Sequence, residues 1–516
     1  LGVSPRDAPR RAVRLPFARA HGEPEPVSIR PRRVPSLRIR ALNEQPVVEE
    51  GDYVVYWMIT SRRRRYNFGL QRATVAASKL RKPLVVLEAL RVGYRWASDR
   101  LHRFVMQGMA DNARRFDGAP VWYHPWLEPE AGAGRGLLSE LASRACMVVT
   151  DDYPTFFVPR MLDAAARKLP CRLEAVDANG LLPMRAANRT FARAHDFRRF
   201  LHKSLAPHLA ADDWPTADPL EGLELPTLDA LPAPIEERWP RTPIETLEAS
   251  STLTRLPIDH SVRPSALVGG ASAADERWSR FAEAGLPHYA EGRNHPDEEI
   301  QSGLSPWIHF GHIGAHDVFD RLRPEGWSPA SLGEPSGKRE GWWNMDAGRE
   351  AFLDELVTWR EIGFNMAHRE PDHDRFESLP AWARKTLNEH REDPREHVYD
   401  LETFERAETH DEIWNAAQRQ LVGEGRIHNY LRMLWGKKIL HWSATPEDAL
   451  EVMVELNNKY ALDGRDPNSY SGIFWILGRY DRAWGPEREI FGKVRYMTSD
   501  STRRKLRLSG YLERWG

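Results

Sequence analysis

The chain has 516 residues, of which 41% are hydrophobic and 28% charged, and its formal net charge at pH 7 is −1. This length is too great for one ordinary core and predicts two or three domains of a soluble globular protein. The near-zero net charge excludes whole-molecule charge as a basis for binding nucleic acid.

Cysteine content and hydropathy bear on the cellular location of the protein and on the kinds of site it can hold. The two cysteines, Cys146 and Cys171, exclude a disulfide framework and argue against a cysteine-based zinc site, so no metal is predicted. No apolar run approaches the roughly 18 residues that a membrane span needs, so no membrane association is expected. The N-terminal region lacks the apolar core of a secretory signal. We therefore expect a cytoplasmic monomer.

The first segment of the chain, residues 1–47, is rich in Arg and Pro without periodicity. It predicts a flexible arm that ends in a docking segment. The arm, the arginine run 62–65 and the C-terminal region form local basic patches, which can hold a phosphate backbone although the total charge is near zero. Solvated surface charge explains each patch equally well.

In residues 48–185, short apolar segments alternate with helical stretches. The strand candidates are 52–59, 82–90, 119–126, 145–152 and 171–180, and the helical stretches are 67–80, 99–116 and 137–144. Continuous apolar strands that alternate with helices predict a Rossmann-like parallel sheet covered on both faces. No GxGxxG follows the first strand, so classical dinucleotide binding has no motif here.

The rest of the chain divides into two segments that differ in composition and periodicity. Residues 186–262 are dense in Pro, Asp and Leu and predict a long interdomain linker over the surface. Residues 263–516 have helical spacing, clearest in 275–284, 315–322, 349–367, 381–389, 411–423, 427–442 and 446–460. The predicted fold class is therefore α/β plus all-α: a Rossmann-like domain, a linker and a C-terminal helical domain.

The most informative stretch, residues 410–443, contains three tryptophans. Trp435 and Trp442 are seven apart and share a helix face with a rise of about 10 Å between them, and Trp414 precedes them. Polar side chains cluster among them: Asn415, Gln418, His428, Asn429 and Arg432. An indole ring can be oxidised and re-reduced, so this ladder suggests one-electron chemistry. Buried tryptophans of an ordinary amphipathic helix are the alternative.

Three further segments carry candidate chemistry. The stretch 302–305 precedes a helical run and can offer hydroxyls and free N–H groups to a pyrophosphate, although simple helix capping fits it too. Glu355 and Trp359 are four apart, which places a carboxylate beside a flat ring on one face. Asp463 can pair with Arg432, either in a cofactor site or as a structural salt bridge.

These segments also carry a family resemblance. The motifs are QSGLSPWIHFG (301–311), WNAAQ (414–418), IHNYLRMLWGKKILHW (427–442), LNNKYALDGRDPN (456–468) and DRAW…FGKVRYM (481–497). With them the chain resembles the class II cyclobutane pyrimidine dimer (CPD) photolyases of the photolyase/cryptochrome family. The resemblance is dense over residues 260–500 and thinner over the α/β domain.

The resemblance implies a lyase that repairs UV-damaged DNA in light, with an α/β antenna domain and a helical domain holding a U-shaped FAD. The damaged dimer is flipped out of the duplex, excited FADH⁻ donates an electron, the cyclobutane bonds split and the electron returns. The α/β domain shows no pattern specific for one antenna chromophore. An 8-hydroxy-5-deazaflavin, a folate and an empty pocket all stay open.

Cofactor roles follow from the resemblance residue by residue. The phosphates and ribityl chain of FAD would contact Tyr289, Arg293, Ser302, Gly303, Leu304 and Ser305. Asn457 would face flavin N5. Arg432 and Asp463 would form an ion pair beside the isoalloxazine and damp the charge change during electron transfer. Trp435, Trp414 and Trp442 would form the relay that photoreduces oxidised flavin, with Trp435 nearest the ring.

Substrate roles are implied in the same way. Glu355, when protonated, would hydrogen-bond the dimer and stabilise its radical anion. Met433 would pack against the lesion, and Trp359 and Trp475 would sandwich the flipped bases. Further DNA contacts would come from Asn415, Arg482, Lys493 and Arg495.

Two alternatives stay open within the same family. A cryptochrome-like blue-light sensor would keep FAD and the tryptophans but lose lesion binding. Repair of (6-4) photoproducts needs a histidine acid beside the lesion, whereas the matched positions here look like the Asn/Met pocket of dimer-splitting enzymes. A helical protein without a cofactor is a third reading, which does not require polar groups to converge on tryptophans.

Overall fold

The structure, a computed structural model, describes residues 32–298 and 300–516. Most of the predicted Arg/Pro-rich arm, residues 1–31, lies outside the described residues. Among the described residues, no helix combines the length and apolarity that crossing a membrane requires.

A six-stranded sheet forms the α/β domain. Its strands are β1 (Ile39–Ala41), β2 (Tyr53–Met58), β3 (Leu84–Leu90), β4 (Trp122–Leu127), β5 (Ala145–Asp151) and β6 (Arg172–Val176), in the order β1-β6-β5-β2-β3-β4. The strands β2 to β6 pair in parallel, and β2 and β5 are buried at every position, as their unbroken apolar runs require. The predicted parallel sheet is confirmed.

The edge strand β1 lies inside the segment that the sequence assigned to the arm. It pairs antiparallel with β6, with Ile39 opposite Val176. Three residues are too few to show the alternation of apolar and polar side chains that predicts a strand from sequence. This strand therefore depends on its pairing with β6.

Four helices cover the sheet: α1 (Phe68–Leu80), α2 (Asp99–Phe116), α3 (Leu137–Ser143) and α4 (Val158–Ala166). Side chains cap the first two helices, because Asn67 accepts from the N–H of Leu70 and Ser98 from that of Leu101. The capping residues explain why the predicted starts of these helices agree with the structure.

The segment 186–262, which its composition predicts to be a linker, contains regular secondary structure. It contains α5 (Ala194–Ser204), α6 (Ala233–Arg238), α7 (Ile244–Glu248) and α8 (Ser250–Leu253). Phe197 and Leu201 of α5 are buried in the core of the helical domain, whereas Ile235 and Trp239 pack on the α/β domain. The segment therefore joins the domains by packing on both.

The helical domain follows with α9 to α22. Their bounds are α9 (Ala271–Arg280), α10 (Tyr289–Gly292), α11 (Ser305–His309), α12 (Ala315–Leu322), α13 (Ala347–Leu353), α14 (Arg360–Arg369), α15 (Ala381–Glu389), α16 (Leu401–Glu405), α17 (Glu412–Glu424), α18 (Asn429–Trp442), α19 (Pro446–Tyr460), α20 (Pro467–Ile476), α21 (Ser499–Lys505) and α22 (Ser509–Trp515). A π-helical turn, Asp354–Trp359, connects α13 to α14 without a break. The predicted all-α domain is confirmed.

Candidate functional site

The three tryptophans of the predicted relay meet in the core of the helical domain. Trp414 of α17 and Trp435 and Trp442 of α18 are each at most 2% exposed. The indole N–H of Trp414 donates to the Trp435 carbonyl at 2.9 Å, and the ring of Trp414 lies 6.1 Å from that of Trp442 in an edge-to-face contact. The indole N–H of Trp435 donates to Gln418 Oε1 at 2.9 Å. Trp414 therefore contacts both tryptophans of α18.

One turn before Trp435, α18 carries a paired cation. Arg432 Nη2 lies 3.2 Å and 3.4 Å from the two carboxylate oxygens of Asp463, and both side chains are largely buried. The Arg432 Nε is buried without a partner. The ion pair fixes the position of the guanidinium and leaves its Nε–H as a donor for a further group.

Asn457 lies near the end of α19, beside the loop that carries Asp463. It is buried, and its amide donates to Ser469 Oγ at 2.7 Å and to the side chain of Asn458 at 3.3 Å. Arg465 caps the same helix end, since its guanidinium donates to the carbonyls of Asn458, Ala461 and Leu462. The Arg465 N–H also donates to Asn458 Oδ1, which fixes the side chain of Asn458, and Ser469 and Asn458 in turn hold that of Asn457.

Glu355 lies in the π-helical turn. The preceding residue, Asp354, accepts two bonds from Arg198 of α5 at 2.8 Å and 3.0 Å, which anchors the turn. Burial raises the pKa of Glu355, while the guanidinium of Arg293 at 3.1 Å opposes this shift. A π turn in the middle of a helix is common at functional sites. The raised pKa favours a carboxyl that keeps a proton more readily than an exposed glutamate.

Arg293 joins two predicted sets of residues. Its guanidinium bonds Glu355, a predicted lesion contact, and lies 5.6 Å from the ring of Tyr289, a predicted cofactor contact. Gln301 donates to the Arg293 carbonyl at 3.1 Å, which ties Arg293 to the start of the stretch 302–305. The predicted cofactor and lesion sites therefore share a wall.

The stretch 302–305 has the backbone of a tight turn. Gly303 has a φ of 62°, and a Cβ at this position would lie within 3 Å of the guanidinium of Arg277. Arg277 also donates to the carbonyls of Gln301 and Ser302. Leu304 is buried, and the hydroxyl of Ser302 accepts from its N–H at 3.4 Å. The hydrogen bonds of Arg277 therefore fix the backbone of this turn. Ser305, at its end, is exposed.

Trp359 and Trp475 stack on each other. Their ring centroids are 4.7 Å apart with an interplanar angle of 22°, and both are half-buried. Met433 on α18 is also half-buried. In this arrangement no base fits between the two indoles, so the predicted sandwich requires the rings to separate.

The predicted DNA contacts divide into two groups. Arg482 and Arg495 both lie over the ring of Trp484, at 4.6 Å and 5.5 Å, and Lys493 is exposed nearby. Trp484 is 36% exposed, and sequence reasoning missed it although it stands in the DRAW motif. A partly exposed tryptophan that contacts two arginines combines a stacking surface with positive charge.

Asn415 does not belong to this surface, which corrects its assignment as a DNA contact. It is buried, and both ends of its amide bond Thr409: Oδ1 accepts from the Thr409 N–H and hydroxyl, and Nδ2 donates to the Thr409 carbonyl. These bonds fix the start of α17, so the residue has a structural role.

A cavity of about 420 Å³ lies between the carboxyl end of the sheet and the helical domain. Aromatic rings dominate its walls: Trp57, Tyr94, Trp126, Tyr153, Phe156, Phe157 and Phe310. Four arginines, Arg62, Arg91, Arg135 and Arg465, and one carboxylate, that of Glu128, complete the lining. Sequence reasoning did not find this cavity, because its walls come from distant segments.

No family model matches the chain. The chain is 34% identical over 478 residues to the deoxyribodipyrimidine photo-lyase of Methanothermobacter thermautotrophicus, covering 92% of this chain and 97% of that protein. The photo-lyases of Arabidopsis thaliana (30% identical; 94% and 93% covered) and Potorous tridactylus (31%; 91% and 82%) are similar over comparable lengths.

Solved structures share the fold. A bacterial class III photolyase from Agrobacterium tumefaciens matches with a TM-score of 0.64 at 17% identity, covering 90% of this chain and 86% of that one. An archaeal photolyase from Sulfolobus tokodaii matches with a TM-score of 0.58 at 14% identity, covering 90% and 89%.

Proposed function

Since the chain belongs to the deoxyribodipyrimidine photo-lyase family and is a DNA-repair lyase, we propose that its lesion is the cyclobutane pyrimidine dimer and its cofactor is FAD. The observation that carries this proposal is the position of Arg432. It is paired with Asp463 and stands one helical turn before Trp435, the first of three buried tryptophans. A fixed charge pair at the end of a redox-capable chain suits electron transfer to a bound flavin.

The pocket residues fit FAD. Arg293 supplies a cation, the turn 302–305 supplies hydroxyls and N–H groups, and His428 and Arg432 have buried nitrogens without partners. The Sulfolobus tokodaii photolyase is described with two FAD molecules, which supports a flavin in this fold. We propose that Tyr289, Arg293 and the stretch 302–305 hold the phosphate side, and that Asn457, Arg432 and Asp463 contact the ring.

Bound FAD would supply, in its reduced and light-excited form, the electron that opens the cyclobutane ring. The protein residues do the rest. Trp359 and Trp475 hold the flipped dimer by stacking, and burial by the surrounding helices excludes water. Glu355, when protonated, hydrogen-bonds the dimer, while Arg293 fixes its orientation. Trp442, Trp414 and Trp435 carry an electron inward to restore the reduced cofactor.

The cyclobutane dimer is favoured over the (6-4) photoproduct. Repair of the latter requires a histidine that can donate a proton. The histidine on this part of α18, His428, has its pKa lowered to about 4 by burial, so it is neutral at physiological pH. Asn429 and Met433 occupy the matched positions and cannot act as acids.

The aromatic cavity between the domains is our candidate for the antenna site. Its walls suit a planar ring system, and Arg62, Arg91 and Arg465 suit an acidic substituent on it. Both an 8-hydroxy-5-deazaflavin and a folate have these features. We further propose that Arg482, Lys493, Arg495 and Trp484 contact damaged DNA, and that the enzyme is a cytoplasmic monomer, which agrees with its free cysteines.

The test uses oligonucleotides with one thymine dimer or one (6-4) photoproduct, and chemically reduced protein under blue light or in the dark. We expect restored thymines only for the dimer and only in light. Restoration of the (6-4) oligonucleotide would reassign the lesion. A flavin-loaded protein that repairs neither substrate would favour the light sensor.

A further inference from the structure

Helix α18 begins without a capping side chain. Its N-cap residue, His428, makes no side-chain cap bond, so the first-turn N–H groups of the 14-residue helix have no side-chain acceptor. The helix dipole adds a partial positive charge at this end. Such an end attracts an anion when something else at the same place also requires a partner.

The second observation is the His428 side chain itself. The residue is 7% exposed, and neither Nδ1 nor Nε2 has a hydrogen-bond partner of normal geometry. Its backbone is well held, since its N–H donates to Gln420 and its carbonyl accepts from the N–H of Arg432. The one polar contact of the ring, with the carbonyl of Arg293, falls short of a normal hydrogen bond. A buried imidazole without a well-formed bond is costly, so a ligand is expected to supply one.

The surroundings of His428 add hydrogen-bond donors that a negative ligand can accept from. Its ring lies beside the carbonyl of Arg293, which Gln301 also contacts, and Gln301 leads directly into the stretch 302–305. One turn further along α18, Arg432 has a buried Nε without a partner. Arg293 and Arg432 are each paired with a carboxylate, Glu355 and Asp463, so they offer an anion the unpaired Arg432 Nε–H rather than a net positive charge.

We propose that the N-terminus of α18, together with His428, binds a phosphate group. This inference rests on the proposed function, which supplies two phosphate-bearing ligands: the diphosphate of FAD and the backbone of the DNA lesion. The burial of His428 and its link to the stretch 302–305 favour the diphosphate. The neutral imidazole donates one N–H to a phosphate oxygen, and the first-turn N–H groups donate to the same group.

The test titrates flavin-free, full-length protein with FAD and with riboflavin, which lacks phosphate. We expect His428→Ala to weaken FAD binding about tenfold or more, the value of a hydrogen bond to a charged group, and to leave riboflavin binding unchanged. His428→Asn, which can cap the helix and donate a bond, should retain part of the affinity. His441→Ala is the matched control, because this histidine lies at the other end of α18 and also has its pKa lowered to about 4.

A third arm measures binding of a dimer-containing oligonucleotide to the FAD-loaded variants. If only this binding weakens, His428 serves the DNA phosphate instead of the cofactor. Unchanged affinity for both FAD and DNA, or an equal loss for riboflavin, overturns the inference. Wild-type protein that binds FAD but repairs nothing in light defeats the proposed function alone, since the titration still tests the phosphate site.

Discussion

The two groups of tryptophans in the helical domain occupy opposite environments. Trp414, Trp435 and Trp442 are sealed in the core, and the indole N–H groups of Trp414 and Trp435 are bonded to a carbonyl and an amide oxygen. Trp359 and Trp475 are half-buried and contact each other face to face. The first environment suits the proposed electron relay, which requires constant distances, and the second suits the proposed lesion site, which a ligand must enter.

The two groups also differ in the movement that their proposed roles require. The core tryptophans can serve electron transfer without any movement, because Trp414 already contacts both of its neighbours. The stacked pair must open by about 3.5 Å, one van der Waals spacing, to admit a base. If this pair binds the lesion as proposed, binding exchanges an indole–indole stack for two indole–base stacks.

The largest effect is expected at the outer end of the core group. Trp442→Phe should abolish photoreduction of oxidised flavin, because phenylalanine is far harder to oxidise than tryptophan. Repair by chemically reduced enzyme should continue nearly unchanged. Absorbance changes under blue light measure the first property and the dimer assay the second. An equal loss of both would contradict the relay role, and Trp359→Phe is the control that should photoreduce normally.

The stacked pair should show the reverse behaviour. Trp359→Ala should weaken binding of a dimer-containing oligonucleotide about 5- to 150-fold, since stacking is worth about 1–3 kcal/mol per base. Photoreduction should remain at the wild-type rate. Fluorescence anisotropy with dimer-containing and undamaged strands measures the difference. Wild-type affinity in the variant would exclude this ring from the lesion site.

Glu355 allows a test of protonation beside the stacked pair. Burial raises its folded-state pKa, so the protonated form persists to higher pH than in an exposed glutamate and is lost as pH rises through the raised value. Repair yield should fall several-fold over that range, and Glu355→Gln, which keeps a hydrogen-bond donor, should have a flat profile. Flavin content should stay constant. A variant that loses FAD would move Glu355 to the cofactor site.

The smallest effect is spectroscopic. Two stacked indoles couple their electronic transitions, so wild-type protein should show a far-ultraviolet circular dichroism couplet that Trp359→Phe and Trp475→Phe remove. Binding of a dimer should remove it as well, because the rings separate. Trp414→Phe should leave this couplet in place. A couplet unaffected by either substitution would mean that the pair is not stacked in solution.

Local patterns predicted the helices well. The predicted bounds 99–116, 315–322 and 446–460 coincide with α2, α12 and α19, because apolar periodicity and capping residues such as Ser98 and Thr445 are encoded within a few positions. The Arg432–Asp463 contact was also accessible, since two charged residues stood in neighbouring motifs. The roles of these residues remain predictions.

The features that were missed depend on distant segments. The strand β1 exists only because β6 pairs with it, and the aromatic cavity collects walls from both domains. Asn415 looked available because sequence does not show that Thr409 bonds both ends of its amide. The sequence likewise could not show that the ring nitrogens of His428 lack hydrogen-bond partners of normal geometry, because that depends on which segments fold around them.

The π turn at Asp354–Trp359 makes this part of the molecule sensitive to the number of its residues. A π turn arises when one extra residue is accommodated in an otherwise α-helical ladder. Deleting Val357 would let α13 and α14 close into one regular helix, but everything before the deletion would rotate by about 100° relative to α14. Glu355 would then leave Arg293 although no functional side chain had changed. We therefore expect the segment to tolerate substitutions better than a change of length, because a one-residue deletion would displace Glu355 from Arg293.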